Sequence, residues 1–126
     1  MIRRWSAEVN RESGSVTAEM AVALPALLVV LAGALTVLVA VSAQLRCVDA
    51  ARLGARAAAR GDPDAAVVRQ VLDSEPAARV TVGHASGLVR VRVALPVAAV
   101  AGSGIGPLQV GAESAAAPET TVAGDP

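Results

Sequence analysis

The chain has 126 residues, of which 54% are hydrophobic and 17% are charged. A composition this apolar excludes an intrinsically disordered chain, and the length predicts one domain. The 11 basic residues, all of them arginines, balance 11 acidic residues, so the net charge gives no reason to expect a nucleic acid as a partner.

A short polar leader, residues 1–14, precedes a long apolar run. No charged residue stands in residues 20–45. As a helix this run would be about 39 Å long, more than the ~30 Å hydrocarbon core of a bilayer requires. Because only a helix satisfies its own backbone hydrogen bonds in lipid, we predict a transmembrane helix over residues 15–45.

Glu19 stands at the beginning of this apolar run. A carboxylate beside a membrane span is unfavourable unless it stays at the interface or finds a partner, so it indicates a function. A cut between Gly14 and Ser15 would make Glu19 the fifth residue of a chain that begins with a positively charged amine. Glu19 also has a purely structural explanation, because an acid near a helix N-terminus is stabilised by the helix dipole.

The pattern of a glycine, four residues and a glutamate before an apolar helix resembles the processing site of type IV prepilins. A membrane-bound prepilin peptidase cleaves these proteins after the glycine. More narrowly, GSVTAEMAVALPALLVVL resembles the TadE-like minor pilins and pseudopilins of the tight-adherence (Flp) type IV pilus. The following QLRCVDAARLGARAAARGD resembles their actinobacterial branch, and the resemblance covers residues 13–62. Met20 departs from the family, which commonly has Phe or Tyr at this position.

This resemblance implies a non-enzymatic structural component or assembly factor of a pilus used in cell adhesion. The implied partners are the prepilin peptidase, other pilus subunits, tight-adherence assembly proteins and membrane lipid, with no nucleic acid. In pilins the glutamate meets the N-terminal amine of an adjacent subunit, a role that falls here on Glu19.

The resemblance also implies a single-pass protein of the cytoplasmic membrane, with its N-terminus inside and its C-terminus outside, that can enter a surface pilus. Charge alone favours the opposite orientation, because more arginines follow the span than precede it. Those just past the span are Arg46, Arg52, Arg56 and Arg60. We let the cleavage motif decide the orientation.

Residues 46–61 are rich in alanine and arginine, so the membrane helix should continue as a helical stem. Arg52, Arg56 and Arg60 recur at every fourth position and share one helix face, which either contacts other subunits or lipid phosphates or is simply solvated. The only cysteine, Cys47, could form an intermolecular disulfide, carry a lipid, or pack as a half-buried thiol.

A small extracytoplasmic domain, residues 62–115, should follow the stem. Gly61 should end the stem helix, and Asp62 should act as the N-cap of a second helix that begins at Pro63 and ends near residue 73.

Apolar residues then alternate with polar ones, which predicts a β-hairpin with strands 79–82 and 88–93 around a five-residue turn. A third strand is expected near residues 108–113, and residues 116–126 should form a flexible tail.

Alternate side chains of the second strand should face opposite sides of the sheet. Val89, Val91 and Val93 would then face the second helix, while Arg90 and Arg92 face solvent. The fold class is therefore α+β: a long N-terminal transmembrane helix that continues into a stem, then a short helix and a small antiparallel β-sheet.

No motif indicates a catalytic, cofactor or metal site. His84, the only histidine, has no second ligand at a metal-binding spacing, and GSGIGP lacks the lysine and following helix of a phosphate-binding loop. We therefore expect no enzyme activity, no catalytic residues, no cofactor and no metal.

Two other interpretations remain open. The chain could be a secreted domain whose signal peptide ends at Val41-Ser42-Ala43, although its apolar run exceeds the ~7–15 residues of an ordinary signal peptide. It could also be an uncut signal-anchor protein that recruits a partner through its extracellular domain.

Overall fold

The computed structural model describes the backbone of residues 5–119 and the side chains of residues 14–119. It contains two helices and three strands: α1 Trp5–Ala59, α2 Asp64–Ser74, β1 Arg79–Ala85, β2 Leu88–Val97 and β3 Leu108–Ala116. This architecture confirms the predicted α+β class. Residues 1–4 of the predicted leader and residues 120–126 of the predicted tail lie outside the described residues, as do the side chains of the other leader residues before Gly14.

Helix α1 is continuous from the leader through the apolar run into the stem. Pro25 lies inside it, where its missing N–H removes one helical hydrogen bond without ending the helix. Between Val16 and Leu45, the large apolar side chains that the structure leaves exposed have 44% to 73% of their surface accessible. By length and composition, Gly14–Ala59 can cross a membrane, and its most apolar window has a mean hydropathy of 2.7.

Gly61 ends the stem, as predicted. Its positive φ of 85° lets its N–H bond to the carbonyl of Ala58 (3.0 Å), while the N–H of Asp62 bonds to Ala57 (3.2 Å). This pair of bonds is a Schellman motif, which satisfies carbonyls that the helix end would leave free.

The predicted N-cap of α2 was wrong. Pro63 occupies the cap position and makes no side-chain hydrogen bond there, so α2 begins at Asp64. The Asp62 carboxylate instead accepts a 3.0 Å hydrogen bond from Arg60. The backbone N–H of Asp62 bonds to the carbonyl of Ala57, so Asp62 belongs to the end of the stem.

The β-hairpin is tighter than predicted. Strand β1 continues to Ala85, which pairs with Leu88, so Ser86 and Gly87 alone form the turn. Both have positive φ, 54° and 74°, the combination of a type I′ turn, whose twist matches that of the flanking strands. His84 therefore lies in β1, paired with Val89, rather than in a turn.

The sheet is antiparallel with strand order β1-β2-β3. Strand β3 confirms the third predicted strand but extends beyond residue 113, with its terminal Ala116 paired with Val89. The N–H of Glu119 then donates to the carbonyl of Ala59 (3.0 Å), so the chain after β3 returns to the end of the stem.

The hydrophobic core lies between the stem and the sheet. Val89, Val91 and Val93 are buried and Arg90 and Arg92 are exposed, as the alternation predicted. Their cover is mainly α1, which packs along β2 and β3, whereas α2 packs on α1 and reaches only β1. The small alanine side chains of the stem allow this close approach; those in the hydrophobic core are Ala50, Ala51, Ala57 and Ala58.

Candidate functional site

The proposed cleavage site lies within α1. Gly14, Ser15 and Glu19 are all exposed and helical. Ser15 and Glu19 are four residues apart and therefore share one face of the helix. Within the part of the chain that the structure describes, no hydrogen bond or ion pair reaches the Glu19 carboxylate. The described residues thus leave this acid available to another group.

C-terminal to Glu19, no other part of the described chain covers α1 as far as residue 31. Every residue from 14 to 31 is exposed, and only 6% of the most apolar window is buried within the chain. Gly33 lies in this helix with open space around its Cα, so another helix can approach there closely. This apolar surface is therefore left for lipid or for other helices.

Thr36 is the first residue of α1 from Gly14 onward that the rest of the chain covers completely. It is fully buried, and its hydroxyl donates to the carbonyl of Ala32 (2.9 Å) and accepts from the N–H of Val100 (3.0 Å). Sequence analysis missed this residue. A hydroxyl inside an apolar run was the available signal, but its partner lies 64 positions away in a connection without regular structure.

Two further residues join α1 to β3. The Gln44 side chain donates to the carbonyl of Gly111 (2.9 Å), and the thiol of Cys47 lies 3.7 Å from the carbonyl of Val110. Cys47 is fully buried, and this burial raises the pKa of its thiol. The thiol packs in the core, so an intermolecular disulfide would require the stem to separate from the sheet.

The three stem arginines, Arg52, Arg56 and Arg60, are all exposed. Arg60 pairs with Asp62, whereas Arg52 and Arg56 have no acidic side chain within ion-pair distance among the described residues. They lie beside a shallow groove between the stem and the end of β3, whose other walls include Ser114 and Ala116. Arg56 donates through Nε to the carbonyl of Arg52 (3.4 Å), so among the described residues neither guanidinium is neutralised by a carboxylate and both can contact an external anion.

The outer face of the sheet is polar. Arg90 and Arg92 donate to the two carboxylate oxygens of Glu113, at 3.0 Å and 2.7 Å. The hydrogen bond from Arg92, followed by that from Arg90, lowers the pKa of Glu113. At the edge of the sheet His84 lies 3.0 Å from Asp64. Among the described side chains, residues 14–119, no group of three or more His, Cys, Asp or Glu residues could hold a metal ion.

A single exposed apolar helix that continues through a stem into a small α+β domain fits a membrane-anchored, pilin-like protein. The sequence model of the TadE-like protein family matches residues 14–56. The chain is therefore similar to TadE-like proteins over this segment, about a third of its length, which begins at Gly14 and ends in the stem. This confirms the resemblance seen in the sequence, while membership of the actinobacterial branch stays a prediction. Comparisons with curated proteins and with solved structures find no significant match.

Proposed function

We propose that the chain is a minor pilin or pseudopilin of a tight-adherence pilus. A prepilin peptidase would cut it between Gly14 and Ser15, and the shortened chain would join other pilus subunits as a structural component or assembly factor, without catalysis. The observation that carries this proposal is the TadE-like segment itself: an exposed apolar helix that begins with a glutamate for which the described residues provide no partner.

Helix packing is the mechanism that this surface supports. In lipid there is little hydrophobic force between helices, so they associate through close packing and polar contacts. The small residues Ala32, Gly33 and Ala34 permit close packing, while Glu19 offers a charge. After cleavage, the Ser15 amine of one subunit is the complementary charge for Glu19 of another, and their attraction is stronger in a low-dielectric environment than in water.

Cleavage at Gly14 also has a structural requirement. The bond lies inside α1, so a peptidase would need the helix to open locally. Glycine in a helix interior is less favourable than alanine by about 0.5–1 kcal/mol, which makes this position easier to open. The leader would be cytoplasmic and the α+β domain extracytoplasmic.

The arginines Arg52 and Arg56 provide a second contact for subunits or assembly proteins with acidic surfaces. Their lack of acidic partners in the described chain supports this role. Cys47 has a packing role in this proposal, because its thiol is closed to solvent.

One observation weighs against a signal peptide cut after Ala43. Such a cut would remove Thr36, whose hydroxyl holds the backbone of Val100. An uncut signal anchor remains the competing function, since α1 is continuous across Gly14 and Ser15.

The first test is the N-terminus of the mature protein from its native membrane, with and without the prepilin peptidase. A chain that begins at Ser15 only when the peptidase is present is expected. An intact leader in both samples would leave the uncut anchor, and a chain that begins at Gln44 would establish a secreted domain.

The second test replaces the charge of Glu19 while keeping its shape. Glu19→Gln should insert into the membrane but enter sheared pili at least tenfold less than the wild type, because the neighbouring amine loses its partner. The matched control is Glu12→Gln, which changes an acid that cleavage removes. Normal incorporation of the Glu19→Gln chain would exclude the proposed charge pairing.

A further inference from the structure

The connection between β2 and β3, residues 98–107, lies at the end of the domain that is nearest the apolar part of α1. The N–H of Val100 binds Thr36, whereas at the opposite end Glu119 binds Ala59. Gln44 and its partner Gly111 lie between these two levels. The sheet therefore runs alongside the stem, and residues 98–107, here called the proximal loop, come closest to the membrane.

The proximal loop and its surroundings carry no charge. No Asp, Glu or Arg occurs in residues 93–112, and none occurs in α1 between Glu19 and Arg46. Ile105 and Leu108, in and beside the loop, are each 37% exposed. An uncharged loop with exposed aliphatic residues, held beside an exposed apolar helix, is suited to contact with lipid.

The unpaired backbone N–H groups of the loop limit how deeply it can enter the bilayer. Among its N–H groups, only those of Val100, Ser103 and Ile105 donate to an acceptor in the described chain. The remaining N–H groups need water or lipid headgroups, because an unpaired backbone group in hydrocarbon is strongly unfavourable. The backbone of the loop is therefore too polar to enter the hydrocarbon core, whereas its side chains are apolar enough to lie against lipid.

We infer that the proximal loop lies in the outer interfacial layer of the bilayer and contacts lipid there, at the level of Thr36. This position moves the outer boundary of the hydrocarbon core from residue 45, the end of the span predicted from the sequence, to about residue 36. Residues 15–35 would form a helix about 31 Å long, which matches a hydrocarbon core of about 30 Å. The loop then fixes the height of the α+β domain above the membrane.

This inference rests on the insertion of α1 in the membrane, which is part of the proposed function, but not on cleavage or pilus assembly. A chain that fails to enter pili can still place the loop in the interface. Conversely, a protein that assembles normally can hold the loop in water. The two proposals therefore fail separately.

Fluorescence quenching by brominated lipids measures the depth directly. The full chain would carry Trp5→Phe, which removes its only tryptophan, together with Ile105→Trp, and would be reconstituted in phosphatidylcholine vesicles. The matched control is Ala85→Trp, an exposed position next to the hairpin turn. Bromines near the headgroup end of the acyl chains should quench the fluorescence of Ile105→Trp several-fold more than that of Ala85→Trp. They should also quench Ile105→Trp more strongly than bromines near the bilayer centre do.

Equal, weak quenching of both tryptophans would overturn the inference, and so would stronger quenching of Ile105→Trp by bromines at the bilayer centre. Resistance of Cys47 to a thiol reagent reports whether each variant is folded, since the thiol is fully buried. Should Ile105→Trp expose Cys47, Leu108→Trp serves as the reporter, with the same expected and contradicting results.

Discussion

At the scale of single residues, Thr36 connects the α+β domain to the apolar part of α1. Its hydroxyl donates a hydrogen bond to the carbonyl of Ala32 in α1 and accepts one from the N–H of Val100 in the proximal loop. Thr36→Val keeps the shape of the side chain but leaves the N–H of Val100 without its acceptor. A buried donor that loses its partner costs about 1–3 kcal/mol, so the loop should loosen.

Amide hydrogen exchange checks this prediction in detergent-solubilised protein. The N–H of Val100 should exchange faster in Thr36→Val, while the amides of β2 stay protected. Thr36→Ser retains the hydroxyl and is the matched control. Unchanged exchange at Val100 in the valine variant would show that this hydrogen bond does not hold the loop.

At Gly54, α1 packs closely against both α2 and the sheet. A methyl group at Gly54 would lie 2.8 Å from a methyl of Val91 and 3.1 Å from one of Val71. Overpacking of this kind costs about 1–3 kcal/mol, whereas the gain in helix propensity from Gly to Ala is about 1 kcal/mol. Gly54→Ala should therefore lower the thermal stability of the domain.

Gly33→Ala is the control for this substitution, because Gly33 has open space around it in the same helix. It should leave the thermal midpoint of the α+β domain unchanged. A Gly54→Ala protein as stable as the Gly33→Ala protein would mean that the core adjusts without loss.

At the scale of elements, sequence patterns located every helix and strand of residues 5–119. The absence of charge over residues 20–45 and the alternation in β2 are strong signals, because each reflects which surface meets water. The end of the stem at Gly61 was equally clear, since its left-handed conformation favours glycine.

Patterns in the chain did not reveal how the elements pack. Gly83, His84 and Ala85 have little strand preference, so the sequence predicted that β1 ends at residue 82, three residues before its observed end. Their pairing with β2 overrides that preference. The sequence predicted an arginine face on the stem but did not reveal that the stem alanines form one wall of the core, a role that depends on the closeness of the sheet and not on side-chain size alone.

The outer face of the sheet gives a prediction for pH. Arg92 and Arg90 lower the pKa of Glu113 below its ordinary value of 4.5. The folded state therefore prefers the charged carboxylate, and the resulting stability is present above the ordinary pKa and disappears as pH falls through the lowered one. Glu113→Gln removes this dependence.

Urea unfolding at a series of pH values between about 6 and 3 checks this prediction. The wild type should lose more stability on acidification than Glu113→Gln, and the effect should be small because the pair is exposed to solvent. The control is Arg79→Gln, on β1, which removes a charge without changing Arg90, Arg92 or Glu113. Identical acid sensitivity of the wild type and Glu113→Gln would contradict the assignment.

At the scale of the whole molecule, two signals disagree about orientation. The arginines of the stem favour a cytoplasmic domain, whereas a cleavage site at Gly14 requires a cytoplasmic leader. In the folded chain Arg46 and Arg60 pair with Glu75 and Asp62. Acidic residues contribute little to the positive-inside rule, so these pairs do not remove the conflict.

Labelling of intact cells with a membrane-impermeant maleimide tests the orientation. In a Cys47→Ala background, Ala85→Cys presents the only thiol at an exposed position on the α+β domain. Labelling before lysis is expected, because the proposed cut at Gly14 places the domain outside. Glu12→Cys, in the leader, should be labelled only after lysis and only in cells that lack the peptidase. Labelling of Ala85→Cys only after lysis would place the domain in the cytoplasm, where the stem arginines and not the cleavage motif would have set the topology.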